Sequence, residues 1–229
     1  MNSWNNLIGH DTTVAYLKKI IAEDKFPHAV IFSGAEGVGK CLTAEICAAA
    51  LLCENPNAGE PCGTCESCRL VAARSHPDFY IVEAEATKTA RNIKIGQIRD
   101  MQSKASLKPL NSARRVVIID GAELMNNAAA NCLLKTIEEP PEYVVFIFAT
   151  TETQKVPATI RSRCQQFNFQ LIPLETIKGL LAQAASEMGI DAEDEALFWI
   201  AREATGSMRD AYTLFDQVVA FSNGKITLA

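Results

Sequence analysis

Two stretches of the sequence carry residues whose types and spacing can do chemistry. The first, GAEGVGKC, runs from Gly34 to Cys41. It has the G-x-x-x-x-G-K form of a phosphate-binding loop, in which backbone N–H groups and a helix N-terminus hold phosphate oxygens and the lysine reaches the β and γ phosphates. Gly34, Gly37, Gly39 and Lys40 are therefore candidate phosphate ligands, with ATP or ADP as the candidate cofactor. A plain strand-to-helix turn that needs glycine is the competing reading. Position 41, usually a Ser or Thr that helps to hold Mg2+, is a cysteine, and a neutral thiol is a poor ligand for a hard cation. The second stretch holds Cys53, Cys62, Cys65 and Cys68, spaced C-x8-C-x2-C-x2-C. Four soft donors suit a tetrahedral Zn2+, and a site with all four positions filled is structural because no water can reach the metal. Free buried thiols are the alternative. Cys41, Cys47, Cys132 and Cys164 are isolated and read as small core hydrophobes.

A phosphate loop needs a strand before it and a helix after it. Ala29–Ser33 (AVIFS) is a short apolar run suited to a buried strand, and Cys41–Leu52 reads as an alanine-rich helix. The usual partner of such a loop is an acid at the end of another apolar strand. Val116–Asp120 (VVIID) supplies Asp120 in that place, with a strand-end cap as the bland alternative. Many such ATPases put a glutamate next to polarise water, whereas here Gly121 follows. Loss of a general base costs roughly 10²–10⁴-fold in rate, so hydrolysis is less secure than binding, and Glu123 cannot be assumed to substitute.

The remaining pattern alternates. Asp11 is placed to cap a helix over Thr12–Glu23. Strands are expected at Phe79–Val82, Val144–Ala149 and Cys164–Phe169, and helices at Gly96–Ser106 and Asn126–Glu139. Alternation of this kind implies a parallel sheet covered by helices. From Pro173 onward the pattern is helical only, over Leu174–Met188, Glu193–Ala204 and Ser207–Phe221. The expected boundary lies near residue 171.

The chain has 229 residues, 48% hydrophobic, and a formal net charge of -5, enough apolar content for a sizeable core. That charge weighs against a general nucleic-acid binder coated in Lys and Arg. Lys104, Lys108, Arg114 and Arg115 are the nearest thing to a basic cluster and read as a solvated loop face, with duplex phosphates as an alternative partner. No apolar run approaches the roughly 18 residues of a membrane span, and the N-terminus lacks the layout of a signal peptide, so a cytoplasmic protein with no membrane partner is expected.

In order along the chain, GAEGVGK (34–40), the four-cysteine insertion, NCLLKTIEEPP (131–141), FAT (148–150), SRC (162–164) and GSMRDA (206–211) resemble the AAA+ subunits of the bacterial DNA polymerase III clamp loader. The resemblance covers essentially the whole chain. It implies an α/β P-loop AAA+ domain over residues 1–171 with a zinc module at 53–68, a helical lid over 172–229, and a third, collar domain expected to fall outside this sequence. It further implies a subunit of a hetero-pentamer with gamma/tau and delta subunits, acting on the sliding clamp and primed DNA through the complex, as part of the polymerase holoenzyme. Arg163 would be an arginine finger offered in trans to a neighbour's ATP, Thr150 (or Thr151) sensor 1, and Arg209 sensor 2. Exposed salt-bridge partners and a strand cap are the bland readings of these three. The start MNSWNNLIGHD, FPHA, HPDF, Cys41 and Gly121 resemble delta-prime subunits with weak or absent ATPase activity, while GSMRDA resembles gamma and tau. Delta prime is the expectation, with a gamma/tau-type motor ATPase as the alternative.

Overall fold

The computed structural model describes residues 3–86, 91–222 and 224–227, so the domain limits at residues 1 and 229 fall outside them. The fold divides into two units, residues 1–33 with 40–168 and residues 34–39 with 169–229.

The first unit runs α1 (Asp11–Ala22), β1 (Ala29–Ser33), α2 (Lys40–Leu52), α3 (Glu66–Ala72), β2 (Phe79–Val82), β3 (Glu85–Ala86), β4 (Arg91–Asn92), α4 (Ile95–Ala105), β5 (Arg115–Asp120), α5 (Asn127–Glu138), β6 (Val144–Thr150), α6 (Ala158–Arg161) and β7 (Gln165–Asn168). Five strands form one sheet in the order β2-β5-β6-β1-β7, and every neighbouring pair is parallel. Each residue of β1 and β6 is buried, which is why these strands read as unbroken apolar runs rather than alternating ones. Val117, Phe146 and Phe148 of the sheet pack with Ile98 and Met101 of α4 and Leu133 and Ile137 of α5. A parallel sheet brings the carboxyl ends of its strands to one edge, where α/β folds bind ligands. Here that edge carries Asp120, in register with Ala149, and Thr150, in register with Ser33.

The second unit holds α7 (Leu174–Glu187), β8 (Asp191–Ala192), α8 (Asp194–Glu203), α9 (Met208–Phe221) and β9 (Lys225–Ile226). It is not helical only, because β8 and β9 pair in parallel. Two-residue strands this far apart in sequence have no periodicity to betray them. Asp11 is also not a cap. His10 occupies that position without a side-chain bond, and Asp11 lies in the first turn, where a carboxylate favours the positive end of the helix dipole.

The supposed basic face is corrected at Arg115, which is 1% exposed. Its guanidinium donates to the carboxylate of fully buried Asp78 at 2.9 Å and to the carbonyl oxygens of Lys104, Leu107 and Lys108. The same carboxylate accepts the N–H groups of Leu110, Asn111 and Ser112. Burial pushes the Asp78 carboxyl up, but these backbone donors and Arg115 outweigh it and hold it below the usual range. Its share of stability is thus present at neutral pH and is lost as pH falls through the lowered value. Arg115→Met strands a buried carboxylate and is expected to cost about 3–5 kcal/mol. The double replacement Asp78→Leu with Arg115→Met should recover little of that loss, because it leaves the N–H groups of Leu110, Asn111 and Ser112 and the carbonyls of Lys104, Leu107 and Lys108 without these side-chain partners. Urea unfolding of the two variants checks both statements, and an Arg115→Met protein as stable as wild type would refute them.

Candidate functional site

The loop residues Gly34–Gly39 belong to the second unit. At Gly37, with φ +75°, a Cβ would lie 1.9 Å from the Ser207 hydroxyl oxygen, so only glycine fits. Ser207 caps α9 by accepting the N–H of Asp210, and the N–H of Met208 donates to the Gly37 carbonyl at 3.2 Å. Arg209, in the first turn of α9, pairs with Glu36 of the loop at 3.0 Å on an exposed surface. The second unit therefore brings Gly37 and Arg209 together. Gly34 and Gly39 lie in the same loop, at φ +152° and +99°.

In the first unit the chain continues into α2, whose first residue, Lys40, is 8% exposed. Cys41 is half-buried and its thiol donates a hydrogen bond to Asp120. Burial, with Asp120 and Glu45 nearby, pushes the Cys41 thiol up to about 12, so it stays protonated at neutral pH. Burial also raises the Asp120 carboxyl, helped by the charges of Glu83 and Glu123 and opposed by the Cys41 bond and Lys40. Thr150 is buried at the end of β6, its hydroxyl accepting the N–H of Glu152 at 3.1 Å.

Sequence reasoning set aside Glu123. The structure ties its Oε1 to the Thr151 hydroxyl at 2.7 Å and to the Thr151 N–H at 3.3 Å. Burial works against this carboxylate, but the hydrogen bonds of Thr151 and Thr150 hold it below the usual range. Its spacing of three from Asp120 was the only available signal. Gly121 has φ +75°, which a glutamate at that position would reach only with strain.

The four cysteines converge. Their sulfur atoms all lie within 4.8 Å of one another, with Cys53–Cys65 at 3.9 Å and Cys62–Cys68 at 4.0 Å. Ligands of a tetrahedral zinc–thiolate centre stand about 3.8 Å apart, from Zn–S bonds of about 2.3 Å, whereas a disulfide needs about 2.05 Å. The N–H groups of Cys62, Cys65 and Cys68 donate to the sulfurs of Cys53, Cys62 and Cys65 at 3.3, 3.3 and 3.4 Å. The N–H groups of Thr64 and Cys65 lower the Cys62 thiol to about 6, favouring the thiolate that binds metal. Cys68 lies in α3 and Cys65 is its N-cap. The donor set fits zinc and needs no further ligand.

Arg163 follows α6, exposed. It donates to the Thr159 carbonyl at 2.8 Å and to Glu138 Oε1 at 2.9 Å. No helix among the described residues is long and apolar enough to cross a membrane.

A five-stranded parallel sheet with a glycine-rich loop after its fourth spatial strand and an acid at the end of its second, two strands away, together with a separate, mostly helical unit, has the arrangement of an AAA+ type P-loop fold. Over 99% of this chain and 68% of theirs, the fold matches the RuvB Holliday junction branch migration motor of Thermotoga maritima at a TM-score of 0.65 and 19% identity. A DNA polymerase III gamma subunit-related protein from the same organism matches 88% of the chain and 56% of its own at 0.54 and 19% identity. The family described as "DNA polymerase III, delta subunit" matches residues 9–173, and "DNA polymerase III clamp loader subunit, ATPase lid domain" matches residues 176–224. This chain belongs to the DNA polymerase III clamp-loader subunit family. Among its relatives, subunit tau of Bacillus subtilis is 38% identical over 96% of this chain and 38% of its own length. Subunit tau of Escherichia coli is 35% identical over 97% of this chain and 34% of its own. The chain thus spans well under half the length of the curated relatives it matches. Their names favour the gamma/tau reading over the expected delta-prime one.

Proposed function

We propose that this chain is the nucleotide-binding and lid portion of a gamma/tau-type subunit of the DNA polymerase III clamp loader, which helps to place the sliding clamp on primed DNA. The observation that carries this reading is the continuous 38% identity to a tau subunit over 96% of the chain, both units included. In this proposal the N–H groups of the Gly34–Gly39 loop and the start of α2 hold the phosphates of ATP or ADP, and Lys40 neutralises them. Arg209 is the sensor-2 group, Thr150 the sensor-1 group, and Arg163 serves a neighbouring subunit's site.

Glycine at 121 and cysteine at 41 argue that the subunit's own turnover is slow even though nucleotide binds. Purified full-length protein is expected to bind a fluorescent ATP analogue, and Lys40→Ala to weaken that binding by at least about tenfold, a loss of about 1.4 kcal/mol. Binding that survives Lys40→Ala unchanged would sink the nucleotide reading. Steady turnover by the isolated protein at roughly 1–100 s⁻¹, as in kinases, would show instead that it is a motor in its own right. Reconstitution with the remaining clamp-loader subunits, followed by clamp loading onto primed DNA, tests the assembly.

A further inference from the structure

Arg74 comes directly after Ala73, the C-cap of α3, in a position that glycine usually fills. The N–H of Ser75 donates to the Leu70 carbonyl at 2.9 Å and that of Arg74 to the Val71 carbonyl at 2.9 Å, the pattern of a helix end that turns left-handed. Arg74 has φ +53°. An arginine held in that conformation, at a cost glycine would not incur, points to a use for its side chain. The guanidinium bridges two acids. Its Nε and Nη2 donate to Glu45 Oε1 at 3.1 and 2.6 Å, and its Nη1 donates to Glu83 Oε1 at 2.9 Å.

Both acids flank the first unit's share of the phosphate site. Glu45 stands one turn beyond Cys41 on the same face of α2. Val82 pairs with Ile119, so the next residues, Glu83 and Asp120, leave the ladder together at the carboxyl edge of the sheet. The charge of Glu83 reaches Asp120, adding to the effect of burial, and that of Arg74 reaches Cys41, where it opposes burial, Asp120 and Glu45. Without Arg74 these acids would repel the phosphates that Lys40 attracts. The four-cysteine module in turn places Arg74. Cys53 directly follows α2, whereas Cys65 caps α3 and Cys68 lies within it, so a zinc ion held by all four fastens the two helices together. A seven-residue helix has little stability of its own.

We infer that the zinc module tunes nucleotide affinity at a distance, by holding α3 so that Arg74 neutralises Glu45 and Glu83 beside the phosphate site. The inference rests on the nucleotide reading above. Arg74 acts through the two acids rather than by touching the ligand.

The test measures binding of a fluorescent ATP analogue to full-length protein, zinc-loaded and zinc-stripped. Arg74→Gly suits the left-handed backbone, so it should keep zinc content and melting temperature while weakening binding about threefold to fivefold, the scale of a partly exposed charge. Stripping zinc from wild type should weaken binding by a similar factor, and stripping it from Arg74→Gly should add little. Both differences should fade in about 1 M salt, where the screening length is about 3 Å, whereas a loss of packing would persist. Adding Glu45→Gln and Glu83→Gln to Arg74→Gly should restore binding. Should Arg74→Gly fail to fold, Arg74→Gln supplies the same loss of charge. Stripped wild type that binds as tightly as loaded, stripping that weakens Arg74→Gly as much as wild type, or a protein that takes up no zinc would overturn the inference and leave nucleotide binding standing. Absence of nucleotide binding under every condition would overturn both.

Discussion

Protein purified without chelator is expected to carry zinc at one ion per four-cysteine site, and Cys65→Ser to abolish it. Cys65 is the pivot because its sulfur is both a donor and the acceptor that caps α3 through the N–H of Cys68. Structural zinc of this kind contributes roughly 10–16 kcal/mol of apparent binding energy, comparable to the marginal stability of about 5–15 kcal/mol of a whole domain. Most of it orders the segment from Cys53 to Cys68, so the loss should appear as local unfolding and protease cutting there before the sheet fails. Zinc analysis, thiol titration and melting temperature read this together. Four titratable thiols, no zinc and an unchanged melt would end the idea.

Arg163→Ala is expected to lower ATP hydrolysis by the assembled complex, by roughly 10³–10⁵ at the site it completes if Arg163 acts as a finger. Folding, zinc content and this chain's own nucleotide affinity should barely move. The guanidinium is exposed and its pair with Glu138 is of the surface kind worth about 0–1 kcal/mol, so little holds it where it rests. Arg163→Lys should rescue little, because an ammonium lacks the planar fork that meets two phosphate oxygens. Wild-type hydrolysis by a mutant complex that assembles normally would make Arg163 a surface arginine and nothing more.

The parallel sheet was legible because its strands are short, the central ones β1, β5 and β6 are buried on both faces, and they are bounded by glycine, proline or charge. Ala29–Ser33 and Phe79–Val82 are placed to the residue. The four cysteines were equally legible, since metal-ligand spacing is local. What escaped depends on contacts between distant residues. Arg115 looked solvated because its buried partner, Asp78, lies 37 residues away. The pairing of Arg209 with Glu36 spans 173 residues. Helix α3 is seven residues long and lies among metal ligands, too short for a helical period to show. The comparisons favour the gamma/tau alternative over the expected delta prime for another reason. Positions 41 and 121 and the chain's first residues weighed most, whereas GSMRDA, the motif on α9 that pointed to gamma and tau, agreed with the identity spread along the whole chain.

The Asp78–Arg115 pair sits immediately before the first rung of the β2–β5 ladder, Phe79 opposite Val116. Strand β2 reads Phe-Tyr-Ile-Val, with no polar residue to mark which side faces solvent, so side-chain hydropathy does little to fix how far it slides along β5. A slip of one residue would draw the carboxylate and guanidinium apart inside a dry interior, at a cost of several kcal/mol. The ion pair therefore acts as a positional pin on an otherwise featureless rail. Because β5 ends in Asp120, that pin also holds the phasing of the sheet edge from which Asp120 projects.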